Sequence, residues 1–175
     1  MRNLSTLVAV VALAGSTLAG ADATALPRNE AGFVSFTGVV KAPGLTSAQI
    51  YSNAMFFVAR AYKSSTHVIK LDDKESGRLI VKGTIQEPSG LISMGFDFTL
   101  TIEVKDERYR WTIDQILQKI PDSDGTFPIE MRLNKDGVGT LGFKASIERL
   151  RVDLVSIGRE LADSILKQTK AKDDF

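Results

Sequence analysis

Histidine and cysteine, the side chains that most often carry catalysis near neutral pH, are almost missing from this chain: His67 is the single histidine of 175 residues and there is no cysteine. An imidazole-based triad would have to gather its nucleophile and acid around that one position on a short strand. Thiol catalysis, disulfides and cysteine-linked lipid anchors are excluded. Carboxylates come next. Asp72, Asp73 and Glu75 fall within one turn and offer oxygens to a hard cation, yet such a site takes roughly six to eight ligands at a set loop spacing, and that spacing is absent. A charged turn between two strands accounts for them equally well. Asp122-Ser123-Asp124-Gly125 has the look of a calcium loop, but its glycine comes too early and no distal glutamate follows. Phosphate-cradling glycine loops, nucleophile elbows and zinc-helix motifs do not occur. The sequence therefore assigns no catalytic residue, no metal ligand and no cofactor. The reading it favours is a non-enzymatic binding or interaction module; the alternative is a carboxylate-dependent hydrolase acting outside the cytoplasm through Asp72, Asp73 or Asp97.

What remains is a polar surface, and its residues are set by two runs of alternating side chains. From Phe96 to Val104 the apolar Phe96, Phe98, Leu100, Ile102 and Val104 alternate with Asp97, Thr99, Thr101 and Glu103. Beyond Asp106-Glu107, Tyr109, Trp111 and Ile113 alternate with Arg108, Arg110 and Thr112. Period two with one apolar side predicts a β-hairpin. Placing Lys105 opposite Arg108 pairs Val104 with Tyr109, Ile102 with Trp111 and Leu100 with Ile113, and it sets Glu103 against Arg110 and Thr101 against Thr112. Both faces agree, and a slip of one residue would break both. The polar side, extended by Lys82 and Thr84 of a preceding strand, mixes signs and is rich in threonine. A nucleic-acid saddle would want basic and apolar wedge residues there. Lys82, Glu103 and Arg110 are the candidate binding residues, placed to orient a polar or anionic ligand; the competing reading is a solvated sheet face.

The elements that position this surface follow in order. Phe33 to Lys41 is a strand stopped by Pro43-Gly44, and Thr46 or Ser47 caps a helix to about Tyr62 with Ile50, Ala54, Phe57, Val58 and Ala61 on one stripe. A second hairpin runs from Thr66 to Leu71 and back from Arg78 to Gln86, and Glu87-Pro88-Ser89-Gly90 leads from it into the first. After Asp114 the pattern degrades: Gln115 to Ile120 suggests a helical turn, and Ile129 to Leu133 with Asn134 to Gly137 a small extra hairpin. A long helix from about Ala145 to Lys170 carries Ile147, Leu150, Leu154, Ile157, Leu161 and Ile165. The fold class is α+β: one antiparallel sheet, βαββββ and then a long C-terminal helix, with both helices on the face of Trp111. Residues 33–170 form the single domain, 115–144 are an irregular insertion and 171–175 a frayed tail. The insertion is long for a connection and carries Phe127, Pro128, Ile129, Met131, Leu133 and Phe143, so it is expected either to pack at the sheet edge and border the polar face or to form an extra hairpin that only extends the sheet.

The strand ending VVKAPGLT before IYSNAMFFVARAY, the stretch HVIKLDDKESGRLIVKGT and the hairpin FTLTIEVKDERYRWTID resemble a family of secreted bacterial domains of unknown function with a TBP-like fold. The resemblance covers Phe33 to Asp114 and fixes turn and polar residues as well as hydrophobic ones. It implies a curved antiparallel sheet with helices on one face, and no activity.

Ahead of the domain, Arg2, the uncharged Leu4–Leu18 and the small residues Ala19-Gly20-Ala21 or Ala21-Asp22-Ala23 predict a secretory signal peptide over 1–23. A membrane span would need about 20 apolar residues, and no later stretch has them. Residues 24–32 read as a flexible leader. The expectation is an exported protein, periplasmic or extracellular, with an unknown small molecule or protein as partner. Lys and Arg number 22 against 21 Asp and Glu, a balance that argues against nucleic acid or an anionic membrane.

Overall fold

The computed structural model of the protein describes residues 11–12, 25–62, 68–89, 92–119, 125–140 and 142–172. Seven strands form one antiparallel sheet: β1 (Val11–Ala12), β2 (Phe36–Lys41), β3 (Ile69–Asp73), β4 (Arg78–Ser89), β5 (Ile92–Lys105), β6 (Arg108–Lys119) and β7 (Thr126–Pro128). Their order is β1-β2-β6-β5-β4-β3, and β7 lies beside β6 beyond the end of β2. Helix α1 (Ser47–Ala61) follows β2, a short 3-10 helix (Ile129–Arg132) follows β7, and α2 (Lys144–Lys172) closes the chain. Both helices pack on the same face, α1 against β5 and β6 and α2 against β2 and β4.

The β5–β6 hairpin has the predicted register throughout, including Glu103 opposite Arg110 and Ile102 opposite Trp111. Its turn is anchored to α1. Asp106 accepts a hydrogen bond from the Ser47 backbone N–H at 2.7 Å, which meets an otherwise unpaired donor at the helix start and holds that carboxyl below the usual range. Thr46 caps the same helix in a capping box with Gln49.

Trp111 shows how helices and sheet close on one another. Its indole is buried between β2 and α2, where Gly38 lies opposite it in register and Gly158 faces it from the helix. A Cβ at Gly158 would stand 2.3 Å from the ring, and one at Gly38 2.7 Å. Neither position admits a side chain while the indole is there. The α1–α2 contact has a polar clasp as well, Asn53 Nδ2 donating to the Ile165 carbonyl at 3.0 Å.

The strands are longer than their alternation suggests. β6 continues past Asp114 to Lys119, where the pattern pointed to a helical turn. Gln115 has a φ of 50° and the pairing with β5 shifts between Asp97 and Thr99, a bulge that brings Ile113 and Ile116 to the same buried face. Apolar residues three apart look helical in sequence. β4 and β5 likewise run on to Ser89 and from Ile92, so the stretch Glu87-Pro88-Ser89 that leads from one hairpin to the next is itself paired strand. The stretch expected as a loose leader is tied down: Leu26 is buried and its N–H donates to the Gly137 carbonyl at 2.9 Å. Of the small extra hairpin, Leu133 and Gly139 form a bridge around the Asn134–Gly137 turn, while Ile129–Arg132 is 3-10 helix. His67, Asp122, Ser123, Asp124 and most of the predicted signal peptide lie outside the described residues.

Candidate functional site

The helix-free face of the sheet is organised in rows that cross the strands. Because β4 pairs Arg78 with Glu103 and β6 pairs Arg110 with Glu103, one carboxylate sits between two guanidinium groups. Arg110 donates to Glu103 Oε2 from Nε at 2.9 Å and from Nη2 at 2.6 Å, and Arg78 Nη2 donates to Oε1 at 3.1 Å. The arginine side chains are 52% and 57% exposed and the glutamate 31%. The Arg110 hydrogen bonds, followed by those from Arg78, hold the Glu103 carboxyl below its ordinary range. With Asp73 of β3 opposite Arg78, the row alternates acid and base and is balanced in formal charge, but its exposed guanidinium groups keep donors not used on Glu103, an arrangement suited to a carboxylate or another anion.

The next row is Ile80, Thr101, Thr112 and Thr37, where Thr37 Oγ1 donates to the Trp111 carbonyl at 3.1 Å and lies 3.3 Å from Thr112 Oγ1. Lys82 follows, opposite Thr99. It is exposed and lies four residues along β4 from Arg78, about 13 Å at strand rise. Thr84 and Lys119 then converge on Asp97, the lysine at 3.2 Å.

The structure thus brings Glu103 and Arg110 together as predicted and sets Lys82 apart from them on the same face. Arg78 is the residue that sequence reasoning missed. Its polar position on the strand was visible, but its partner depends on the β4–β5 register, which is set at the far end of both strands where Ser89 pairs with Ile92, beyond the Gln86 at which the alternation ends.

The carboxylates considered for hydrolysis do not converge. Asp72 accepts the Tyr51 hydroxyl on the helix side, and Asp73 accepts the Ser76 N–H at 3.0 Å within its turn. The Ser76 hydrogen bonds keep Asp73 acidic, the opposite of what a general acid requires. Asp97 is held by Thr84 and Lys119. The carboxyls pushed upward are others: Asp114 by burial, and Glu87 by burial first and then by Asp153. Glu87 is 3% exposed and pairs with Arg149 Nε at 2.9 Å under α2. Among the described residues no cluster of three or more His, Cys, Asp or Glu could hold a metal ion.

The insertion divides between the two faces. It reaches the sheet edge through β7, Gln115 and Lys119 lie on the polar face against Thr99 and Asp97, and the segment after β7 turns to the helix-covered side. The Arg132 guanidinium is stacked between the Phe127 and Phe143 rings, 4.4 and 4.3 Å from their centroids, and its Nε donates to the buried Gln118 at 2.8 Å. Glu130 accepts the Val34 N–H at 2.7 Å, and Ile129 is fully buried. Phe127, Ile129, Leu133 and Phe143 are a reason for this part to enter the core, whereas Met131 stays exposed. A groove of about 480 Å³ between α1 and α2, lined by Phe57, Arg60, Glu160, Asp163 and Lys167 among others, is also on the side away from that face.

With this geometry in hand, likeness to known proteins is informative about fold alone. No curated protein matches the chain. A crystal structure of a DUF4468 family protein from Bacteroides ovatus superposes with a TM-score of 0.63 at 18% identity, covering 80% of this chain and 90% of that one. A TBP-like protein from Parabacteroides distasonis gives 0.62 at 14% identity, covering 79% and 96%. The family described as a domain of unknown function (DUF4468) with TBP-like fold matches residues 36–118, from the first residue of β2 to the buried Gln118 near the end of β6. The chain therefore has the TBP-like fold, and the part of it built from β2, α1 and the β3–β4 and β5–β6 hairpins is similar to the DUF4468 domain.

Proposed function

We propose that the protein is an exported, non-enzymatic binding module whose contact surface is the helix-free face of its sheet, with Arg78, Glu103, Arg110 and Lys82 as the groups that meet an anionic partner. The observation that carries this reading is the Arg78–Glu103–Arg110 row: two exposed guanidinium groups fixed by backbone register on either side of one carboxylate, with donors left over for a partner. Charged groups spread over several strands of an open sheet face favour an extended partner over a small buried substrate. Export rests on the charged start, apolar run and small residues of 1–23, and among the described residues no helix is long and apolar enough to cross a membrane.

Two measurements test it. The chain recovered from a secreting host should begin at Asp22 or Thr24; an intact Met1 in the membrane fraction refutes export. The processed chain should retain a polyglutamate peptide and not a polylysine peptide of equal length, and the joint change of Arg78, Arg110 and Lys82 to Gln should abolish that retention with little change in melting temperature. Equal retention by the variant would remove the site, whereas a large loss of stability would assign these residues to the fold.

A further inference from the structure

The two edges of the sheet are protected unequally. At the β3 edge the ladder is irregular between Ile69 and Leu71, and the strand carries Lys70, Asp72 and Asp73. Bulges and charges are the usual means by which an edge strand is kept from pairing with another chain. The β2 edge has no bulge and a single terminal charge. Its six residues, Phe36-Thr37-Gly38-Val39-Val40-Lys41, pair with β6 in unbroken register, hold one charge at the end, and present Val39 at 40% exposure. Three of the six large exposed apolar residues, Phe33, Val39 and Met131, belong to this strand or to the segments leading into it and bonded to it through Val34 and Glu130. The edge also already accepts a strand: Val11 and Ala12 pair antiparallel with Val40 and Val39.

We propose that the β2 edge is a strand-docking site for a second copy of this chain, occupied in the unprocessed protein by Val11–Ala12 and opened when that segment leaves. The occupant follows from self-complementarity. An antiparallel pair centred on Val39 sets Val39 against its counterpart, Gly38 against Val40, and Thr37 against Lys41. The central pair is β-branched and the one charge meets a threonine, so no like charges are opposed. A two-fold axis at Val39 keeps the helices of both copies on one side and continues the sheet from one copy into the other. It also places the two Arg110 side chains next but one to the dyad, since Arg110 is the cross-strand neighbour of Val39. The contact is a single strand pair, small beside a standard interface of about 1,200–2,000 Å². Association is therefore concentration-dependent.

The release of Val11–Ala12 by processing rests on the export reading, and the test separates the two by using the full-length chain. Val11→Pro removes a backbone donor from β1 and weakens its pairing. Sedimentation of this variant should show a dimer fraction rising with concentration, while the unaltered full-length chain stays mainly monomeric. Adding Val39→Lys, which opposes two lysines at the dyad on an exposed position, should return the variant to monomer at an unchanged melting temperature. A Val11→Pro protein that is monomeric at every concentration overturns the proposal, as does a dimer that survives Val39→Lys. Should the double variant fold poorly, amide exchange in Val11→Pro alone decides the matter: protection over Phe36–Lys41 must rise with concentration, and protection that stays constant overturns the docking site. N-terminal sequencing reports on export independently.

Discussion

On β6, Trp111 and Arg110 are neighbours in the chain and opposites in kind. Trp111 is closed between Gly38 and Gly158 with no room for another carbon, while Arg110 stands in solvent with its Nε and Nη2 on one shared carboxylate. The alternation of a strand makes this division possible, because adjacent side chains leave the backbone on opposite faces. One face is governed by shape and the other by charge. Errors of shape in a dense interior are costly, whereas an exposed ion pair contributes little to stability and is free to serve recognition.

The comparison is broken most severely at Trp111. Trp111→Ala leaves a cavity between sheet and α2 and should cost about 3–5 kcal/mol by denaturant unfolding; a loss under about 1 kcal/mol would mean that the face collapses readily and is not shape-governed. Gly158→Val tests the same contact from the helix side. Its branched side chain must displace the indole, with an expected loss of about 1–3 kcal/mol, and pairing it with Trp111→Ala should recover part of that loss because the clash has gone.

The pH dependence sharpens the contrast further. Glu87, beneath α2, has its folded-state pKa raised above the unfolded value by burial and Asp153. Its contribution is fully present below the unfolded pKa and is lost as pH rises through the folded one. Glu103, on the open face, is depressed by Arg110 and Arg78, so its contribution is present above the unfolded pKa and lost as pH falls through the folded one. Glu87→Gln should flatten the decline in stability on the alkaline side of the ordinary glutamate range, and Glu103→Gln the decline on the acid side. Identical profiles for wild type and Glu87→Gln would show that the buried carboxyl titrates normally. The smallest effect is expected at Arg110→Gln, about 0–1 kcal/mol in unfolding, and a loss well above that would make the charged row part of the scaffold.

The hairpin from Phe96 to Ile113 was legible because two polar and two apolar sets agree on one register, and α1 because Thr46, Gln49 and the Ile50–Val58 stripe mark its start and its buried side. The Glu103–Arg110 pair comes with that hairpin, since a two-residue turn leaves little freedom in what lies opposite. Beyond Asp114 the same rule failed. The bulge at Gln115 adds one residue to the strand, and a single extra residue converts period two into a spacing that looks helical.

Sequence alone determined which side chains lie within a few residues of one another along a hairpin or a helix, because those neighbours are set by backbone geometry. Tertiary structure decided what is distant in the chain and close in space. Arg78 meets Glu103 across 25 residues through the full length of the β4–β5 pairing, Gly158 meets Trp111 across 47 residues because α2 is laid over β2, and Phe127, Arg132 and Phe143 turn into the helix-covered side. Local periodicity carries no record of such contacts. They follow from how the apolar surfaces of all the elements are buried together, a property of the whole chain.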